Sequence, residues 1–316
     1  MKNILASKDE RRLIVEGFFS IKEAVENYIN GCQAKVQMTN EKLFGKAILA
    51  GALIAMGAAA SSVAAHSIPN VGLARLAAGV VFPVGLMMVI LLGAELFTGD
   101  CLMAMSVSDK KQSVKDVARV LLGVFLGNMV GASLLAVLVC MSGQLDYSNG
   151  LLGAYTIKVA MGKANLSFSQ GVVSGVLCNI LVCAAVLMAA CAKDITGKLL
   201  AAFFTILLFV TAGFEHCVAN MYYITAGLLA KMNSTYVGLA VEQYGYTSEQ
   251  LESLNVSNYL FGNLLPVTIG NIIGGVVCIA LPLYYLNRDK VEQPLALKEE
   301  LKNDVVYRRG VADASH

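Results

Sequence analysis

Charged residues are scarce in this chain. Asp, Glu, Lys and Arg make up 15% of its 316 residues, against roughly 25% in soluble domains. Five long segments carry no charge, and they cover residues 47–74, 76–94, 120–143, 164–192 and 253–287. A bilayer core of about 30 Å requires about 20 apolar residues per helix. This scarcity of charge excludes a soluble domain and predicts an all-α polytopic membrane protein.

Several familiar motifs are also missing. The first residues, MKNILASKDERRLIVEG, carry charges where a signal peptide has its apolar core, so this segment is expected to be retained. The eight cysteines form no C-x-x-C pair and are interpreted as buried small side chains. No H-E-x-x-H motif or metal-spaced histidine set occurs, so neither a cofactor nor a metal is expected. The net charge of +2 gives no indication of nucleic-acid binding.

The apolar segments predict six spans, approximately Leu43–His66, Ala74–Met105, Val114–Met141, Ser167–Ala192, Leu199–Ala230 and Asn258–Tyr285. The loops after spans two and four are basic, with Lys110, Lys111, Lys115, Arg119, Lys193 and Lys198. The opposite face has fewer basic residues, namely Arg75, Lys158, Lys163 and Lys231, and its longest loop is acidic. The positive-inside rule therefore places both termini in the cytoplasm. The chain is predicted to be a multi-pass protein of the cytoplasmic membrane whose spans contact the lipid bilayer.

Three regions follow from these spans. Residues 1–42 are predicted to be a cytoplasmic segment, residues 43–287 the transmembrane domain, and residues 288–316 a charged cytoplasmic tail. Ser20–Met38 has helical periodicity, and its apolar face would comprise Ile21, Ala24, Val25, Tyr28, Ile29 and Cys32. We expect this amphipathic helix to lie on the cytoplasmic surface.

Spans two and five are too long for straight helices, and they share a pattern. The segment GAELFTGD (Gly93–Asp100) aligns without a gap on GFEHCVAN (Gly213–Asn220), and spans three and six share GNMVG and GNIIG. These repeats predict an inverted 3+3 arrangement with broken second and fifth helices, which is typical of transporters. Glycine pairs on spans three, four and six are expected to permit close helix contact.

The predicted breaks carry the ionisable residues of the apolar segments: Glu95, Glu215 and His216. Two interpretations of the glutamates stay open, because they either face a pathway or cap backbone amides that the breaks expose. His216 is interpreted as a pathway residue rather than as a hydrogen-bonded core histidine, since it lies deep in a span beside a break.

At these motifs the sequence resembles the formate–nitrite transporter family. GAELFTGD, AGFEHCVANMY and NLLPVTIGNIIGG occur in the family's order, and the resemblance covers about residues 21–286. It implies an aquaporin-like homopentamer with a pore through each protomer, carrying small monovalent anions such as formate, nitrite or hydrosulfide. Asp100 departs from the family pattern, because many members have a neutral residue there, and Pro83 of FPVGL is a second departure.

The resemblance also implies roles for individual residues. His216 would be the central pore histidine, and Thr98 would face it. Phe82 and Leu86 would form a cytoplasmic-side constriction, with Phe209 as the outer one. Lys163 would attract anions in the vestibule, with Asn179 nearby. The pore residues that the resemblance implies are thus His216, Thr98, Phe82, Leu86, Phe209, Lys163 and Asn179. Support of the helix breaks by Glu95 and Glu215 is an interpretation of the residues themselves and does not come from the resemblance.

A proton donated or relayed by His216 would let an anion pass two apolar constrictions as the neutral acid. Two other classes stay open: a membrane-embedded enzyme, and a non-transporting sensor or assembly protein that binds a partner through its amphipathic helix. A water or glycerol channel is disfavoured because neither break carries Asn-Pro-Ala.

Overall fold

A computed structural model describes residues 17–288, and nearly all of this range is helical. Within these residues, six segments are long and apolar enough to cross a membrane, which is the number predicted. They are Asn40–Ala65, Val71–Leu92, Val114–Met141, Phe168–Cys191, Ile195–Ala212 and Asn258–Asn287, so the second and fifth are shorter than predicted. The beginning of the predicted N-terminal segment and all but the first residue of the predicted tail lie outside the described residues.

The helices are numbered in chain order. They are α1 (Ile21–Val36), α2 (Asn40–Ala65), α3 (Val71–Val81), α4 (Val84–Leu92), α5 (Phe97–Asp100), α6 (Ala104–Ser108), α7 (Val114–Met141), α8 (Leu151–Ala164), α9 (Phe168–Cys191), α10 (Ile195–Ala212), α11 (Cys217–Ala230), α12 (Ser234–Tyr244), α13 (Ser248–Glu252), α14 (Leu265–Ile272) and α15 (Leu281–Asn287). Short 3₁₀ turns cover Cys101–Met103 and Gln144–Asp146, and the last span winds as π-helix over Asn258–Leu264 and Ile273–Ala280.

The amphipathic helix forms where the sequence predicts it. Ser20 and Glu23 make a capping box that fixes the start of α1. Its buried residues are Ala24, Val25, Ile29 and Cys32, whereas Ile21 is 39% exposed. The buried part packs against α6, α9 and α15 of the same chain, so protein covers most of the apolar face.

Span two is divided where Pro83 interrupts it. A proline has no backbone N–H and cannot continue the hydrogen-bond ladder of a helix. Accordingly α3 ends at Val81, and α4 begins at Val84 after a turn in which the amide of Gly85 donates to the carbonyl of Phe82 at 3.0 Å.

Glycines let two pairs of spans approach closely within one chain. A Cβ added to Gly131 on α7 would lie 1.9 Å from the carbonyl oxygen of Ile48 on α2. Likewise, a Cβ on Gly270 of the last span would lie 2.1 Å from the carbonyl oxygen of Val172 on α9. The first span thus crosses the third as the fourth crosses the sixth, and these contacts lie inside the protomer.

Candidate functional site

Both long spans are interrupted at a glycine. Four residues separate α4 from α5, and four separate α10 from α11. Each interval opens with a residue in the left-handed region, Gly93 at φ 63° and Gly213 at φ 77°, which glycine adopts without a steric penalty. Glu95, Glu215 and His216, which the predicted breaks carry, lie in these two intervals, and helix resumes at Phe97 and Cys217.

A buried asparagine on α7 holds the first break. The side-chain oxygen of Asn128 accepts the backbone N–H of Phe97 at 2.9 Å. Its side-chain nitrogen donates to the carbonyl oxygens of Glu95 at 3.0 Å and Ala47 at 2.7 Å. One amide thus binds the start of α5, the interval before it and the first span.

Asn271, on α14, makes the same three bonds at the second break. Its oxygen accepts the N–H of Cys217 at 2.9 Å, and its nitrogen donates to the carbonyls of Glu215 at 3.0 Å and Gly175 at 2.8 Å. These two residues are the asparagines of GNMVG and GNIIG. The sequence repeat marked them, but their role at the breaks was missed.

The carboxylate of Glu215 binds side chains rather than backbone amides. It accepts from Lys163 Nζ at 2.9 Å, Asn220 Nδ2 at 2.6 Å and Asn263 Nδ2 at 3.4 Å. Lys163 also lies over the Tyr223 ring, 5.1 Å from its centroid. This contradicts the alternative in which the glutamates cap backbone amides, because the asparagines take the amides that begin α5 and α11.

An equivalent cluster lies at the first break, on the predicted cytoplasmic side. Lys35 Nζ contacts the carboxylates of Glu95, at 2.5 Å, and Asp100, and Lys46 Nζ lies 3.7 Å from the other Glu95 oxygen. Burial alone would lower the pKa of Lys35, but the charges of Asp100 and Glu95 outweigh it and raise this pKa above its usual value.

Lys35 was not singled out from the sequence, although a signal exists. It is the last residue but one of α1, as Lys163 is of α8. Each half therefore begins with a helix whose final turn supplies a lysine to the glutamate of its break. The second half has Asn220 where the first has Asp100, so the first cluster carries one carboxylate more.

Thr98 and His216 meet between the two breaks, as the resemblance implies. Thr98 Oγ1 lies 2.8 Å from His216 Nε2, and both residues are buried. His216 Nδ1 accepts the backbone N–H of Ala219 at 3.1 Å and thereby caps α11. Because Nδ1 is an acceptor, the proton of the neutral ring sits on Nε2, which donates to Thr98.

Aromatic rings line one side of this pair. The Phe82 and Phe209 rings meet edge to face with centroids 5.6 Å apart, and Phe209 lies 6.0 Å from the His216 ring. Phe82 and Phe209 therefore belong to one apolar contact, and the prediction that they form constrictions on opposite sides of the histidine is wrong. Leu86 is buried one helical turn beyond Phe82.

Asn179 lies behind Thr98. Its amide donates to the carbonyl oxygens of Thr98 at 3.2 Å and Asn271 at 2.6 Å, and Cys183 Sγ donates to the same Thr98 carbonyl at 3.3 Å. Asn179 thus ties one break to the asparagine of the other. The asparagine bound to the Lys163 segment is instead Asn263, whose amide donates to the Lys163 carbonyl at 2.9 Å.

Several known proteins are similar to this chain in sequence and in fold. The model of the family described as formate/nitrite transporter matches residues 22–285. "Formate channel FocA" of Haemophilus influenzae is 36% identical over 69% of this chain and 76% of its own length. "Probable formate transporter" of Methanothermobacter thermautotrophicus is 34% identical over 80% of this chain and 93% of its own length.

A solved structure described as "Pentameric formate channel with formate bound" superposes with a TM-score of 0.69 at 30% identity. The match covers 78% of this chain and 97% of that one. These relatives are transport proteins, so the enzyme alternative is set aside. On these findings, the chain belongs to the formate/nitrite transporter family.

Proposed function

We propose that the protein conducts small monovalent anions of weak acids across the cytoplasmic membrane, with formate as the foremost substrate and nitrite or hydrosulfide next. The observation that carries this proposal is the hydrogen bond between Thr98 and His216. It joins the two helix breaks at a buried polar point beside an apolar aromatic contact. The relatives named as formate channels support formate as the first choice.

The Phe82–Phe209 contact decides which form of the substrate passes. Moving a bare small ion from water into a medium of low dielectric costs of order 20 kcal/mol in the ideal case, and a neutral molecule avoids this cost. We therefore propose that the anion takes up a proton from hydronium in the vestibule, passes the phenyl rings as the neutral acid and releases the proton to water on the far side. Lys163, 16% exposed, lies near the second break, but its ion pair with Glu215 at 2.9 Å largely offsets the charge that would attract the anion.

The geometry favours a specific role for His216. Its Nδ1 is occupied by the amide of Ala219, and protonation there would break that bond. The ring therefore stays neutral and donates through Nε2 to Thr98, which leaves the Thr98 hydroxyl hydrogen free to bind the permeating molecule. In this form His216 orients a hydrogen-bond donor rather than giving up its own proton.

No observation favours the sensor or assembly alternative. It needs the apolar face of α1 for a partner, but four of the six predicted face residues are buried within the chain.

Formate flux into proteoliposomes tests the proposal, and His216→Asn tests the role of the ring. We expect flux to rise as external pH falls, because the fraction of neutral acid grows. Asparagine is a good N-cap and can keep the bond to Ala219, but it is too short to reproduce the ring's bond to Thr98. The variant should lose about tenfold in rate, for a lost bond of about 1.4 kcal/mol, and keep the shape of the pH profile.

A variant that keeps the rate but loses the pH dependence would instead identify the ring as the titrating proton donor. Wild-type vesicles that take up no formate, nitrite or hydrosulfide at either of two external pH values would contradict the proposed function itself.

A further inference from the structure

Arg75 stands at the mouth of the apolar contact. It is exposed on α3, seven residues before Phe82, and so shares a helix face with it about 10 Å further out. Its guanidinium lies against the second break, because a Cβ added to Gly213 would be 1.9 Å from Arg75 Nη1. Gly213 follows Phe209 by one turn on α10. Arg75 and Gly213 therefore lie one level above the two phenyl rings, on the predicted outer side.

Among residues 17–288, Arg75 has no ion-pair partner, unlike the two lysines at the breaks. Lys163 is bound to Glu215 at 2.9 Å and Lys35 to Glu95 at 2.5 Å, so their charges are largely offset. The charge of Arg75 does reach Tyr155 on α8: burial raises the pKa of that phenol, and Arg75 acts in the opposite direction. The uncompensated cation beside the aromatic contact is thus an arginine.

We infer that Arg75 is the outer binding residue for the substrate and that it selects anions with two oxygens on one atom, such as formate and nitrite, over hydrosulfide. This inference rests on the proposed function. A guanidinium presents two parallel N–H groups that match two such oxygens, whereas hydrosulfide offers one sulfur atom. A lysine ammonium is a point charge without this fork.

The test is formate uptake at varied external concentration, with Arg75→Gln, Arg75→Lys and wild type in proteoliposomes. The half-saturation concentration should rise about twofold to fivefold in both variants, since exposed contacts of this kind contribute up to about 1 kcal/mol. The maximal rate should change little. Lys158→Gln is the matched control: it removes an exposed cation that lies over Tyr155 and Tyr244 of the same face, and it should leave the half-saturation concentration unchanged.

Competition assays measure the selectivity. Unlabelled nitrite should inhibit formate uptake by wild type more strongly than hydrosulfide does, and Arg75→Lys should narrow that difference. Equal inhibition by the two anions in wild type, or wild-type affinity in Arg75→Lys, would overturn the inference. If wild-type protein takes up no formate, that result would instead contradict the proposed function.

A second pair of variants moves the guanidinium and keeps its charge. The methyl group of Gly213→Ala would displace the Arg75 guanidinium. Gly93→Ala introduces similar backbone strain, but its methyl group would displace nothing, because the nearest atom is Lys46 Nζ at 3.9 Å. The preference for nitrite over hydrosulfide should fall in Gly213→Ala and persist in Gly93→Ala. If both variants keep the preference for nitrite, the position of the Arg75 guanidinium does not determine selectivity and the inference is wrong.

Discussion

Asn128 and Asn271 each bind two backbone groups that a broken helix would leave without partners, and a third carbonyl on a neighbouring span. A buried N–H or C=O without a partner costs about 1–3 kcal/mol, and in a membrane no water replaces it. The side-chain amide of one asparagine therefore stabilises the backbone of each break. The two glutamates are left to bind lysines at the two clusters.

The first prediction concerns Asn271→Leu, which keeps the size of the side chain and removes its hydrogen bonds. We expect a loss of about 3 kcal/mol or more in the free energy of unfolding, since three bonds disappear at once. Thermal unfolding in detergent measures it. Asn287→Leu is the control, because Asn287 makes a local bond to Leu283 near the end of α15; equal shifts in the two variants would contradict the role given to Asn271.

The central pair could be identified from the sequence, but its neighbours could not. His216 and Thr98 belong to motifs that the family shares. The placement of Phe82 failed because motif order along a span does not show which rings meet across two spans. Lys35 was missed because its partners, Glu95 and Asp100, are 60 and 65 residues away along the chain.

Among the helices, α1 and α8 have equivalent positions in the two halves of the chain. Each lies before the first span of its half and ends in a turn whose lysine binds the glutamate of a break. A buried ion pair of this kind is costly to break from one side, because the remaining charge loses its partner. The ion pair between Lys163 of α8 and Glu215 of the second break therefore holds α8 against the site.

A double-mutant cycle tests that coupling. Lys163→Met should destabilise the protein by about 2 kcal/mol or more, and the addition of Glu215→Gln should recover part of the loss because no buried charge then remains unpaired. The readout is the melting temperature of the two single variants and the double variant. Strictly additive effects would show that Lys163 and Glu215 are not energetically coupled.

The sequence predicts helix bounds well where a capping residue precedes an apolar run. Val114–Met141 agrees with the prediction at both ends, and Ser113 caps its start. The predicted span five, Leu199–Ala230, covers both α10 and α11, because the composition stays apolar on either side of the break at Gly213. The π-helical windings of the last span, on either side of α14, have no signal in hydropathy.

For the molecule as a whole, the two halves repeat their contacts. The glycine crossings, the asparagine bonds and the lysine–glutamate pairs all occur twice, which supports the proposed inverted repeat. No residue of the described range 17–288 covers one side of α10: Leu200, Phe204 and Leu208 are 50%, 64% and 54% exposed there. These residues, spaced by four, require lipid or a neighbouring copy.

The assembly prediction follows from this surface and from the pentameric structure that the chain resembles. Native mass spectrometry in mild detergent should report a species of five chains. A monomer or dimer as the stable species would contradict the pentamer, although it would leave the pathway within each protomer untouched.

The central claim is that the Thr98 hydroxyl, oriented by His216, binds the permeating molecule between the two breaks. Formate flux through Thr98→Val in proteoliposomes tests it most directly, since valine keeps the volume and loses the hydroxyl. Flux should fall about tenfold or more, for a lost bond of about 1.4 kcal/mol or more. Thr98→Ser should keep most of the rate, and so should the control Thr205→Val, whose hydroxyl donates to the Ala201 carbonyl on α10 and to Met188 Sδ on α9, away from the breaks. Wild-type flux in Thr98→Val, at equal protein amount, would contradict the claim.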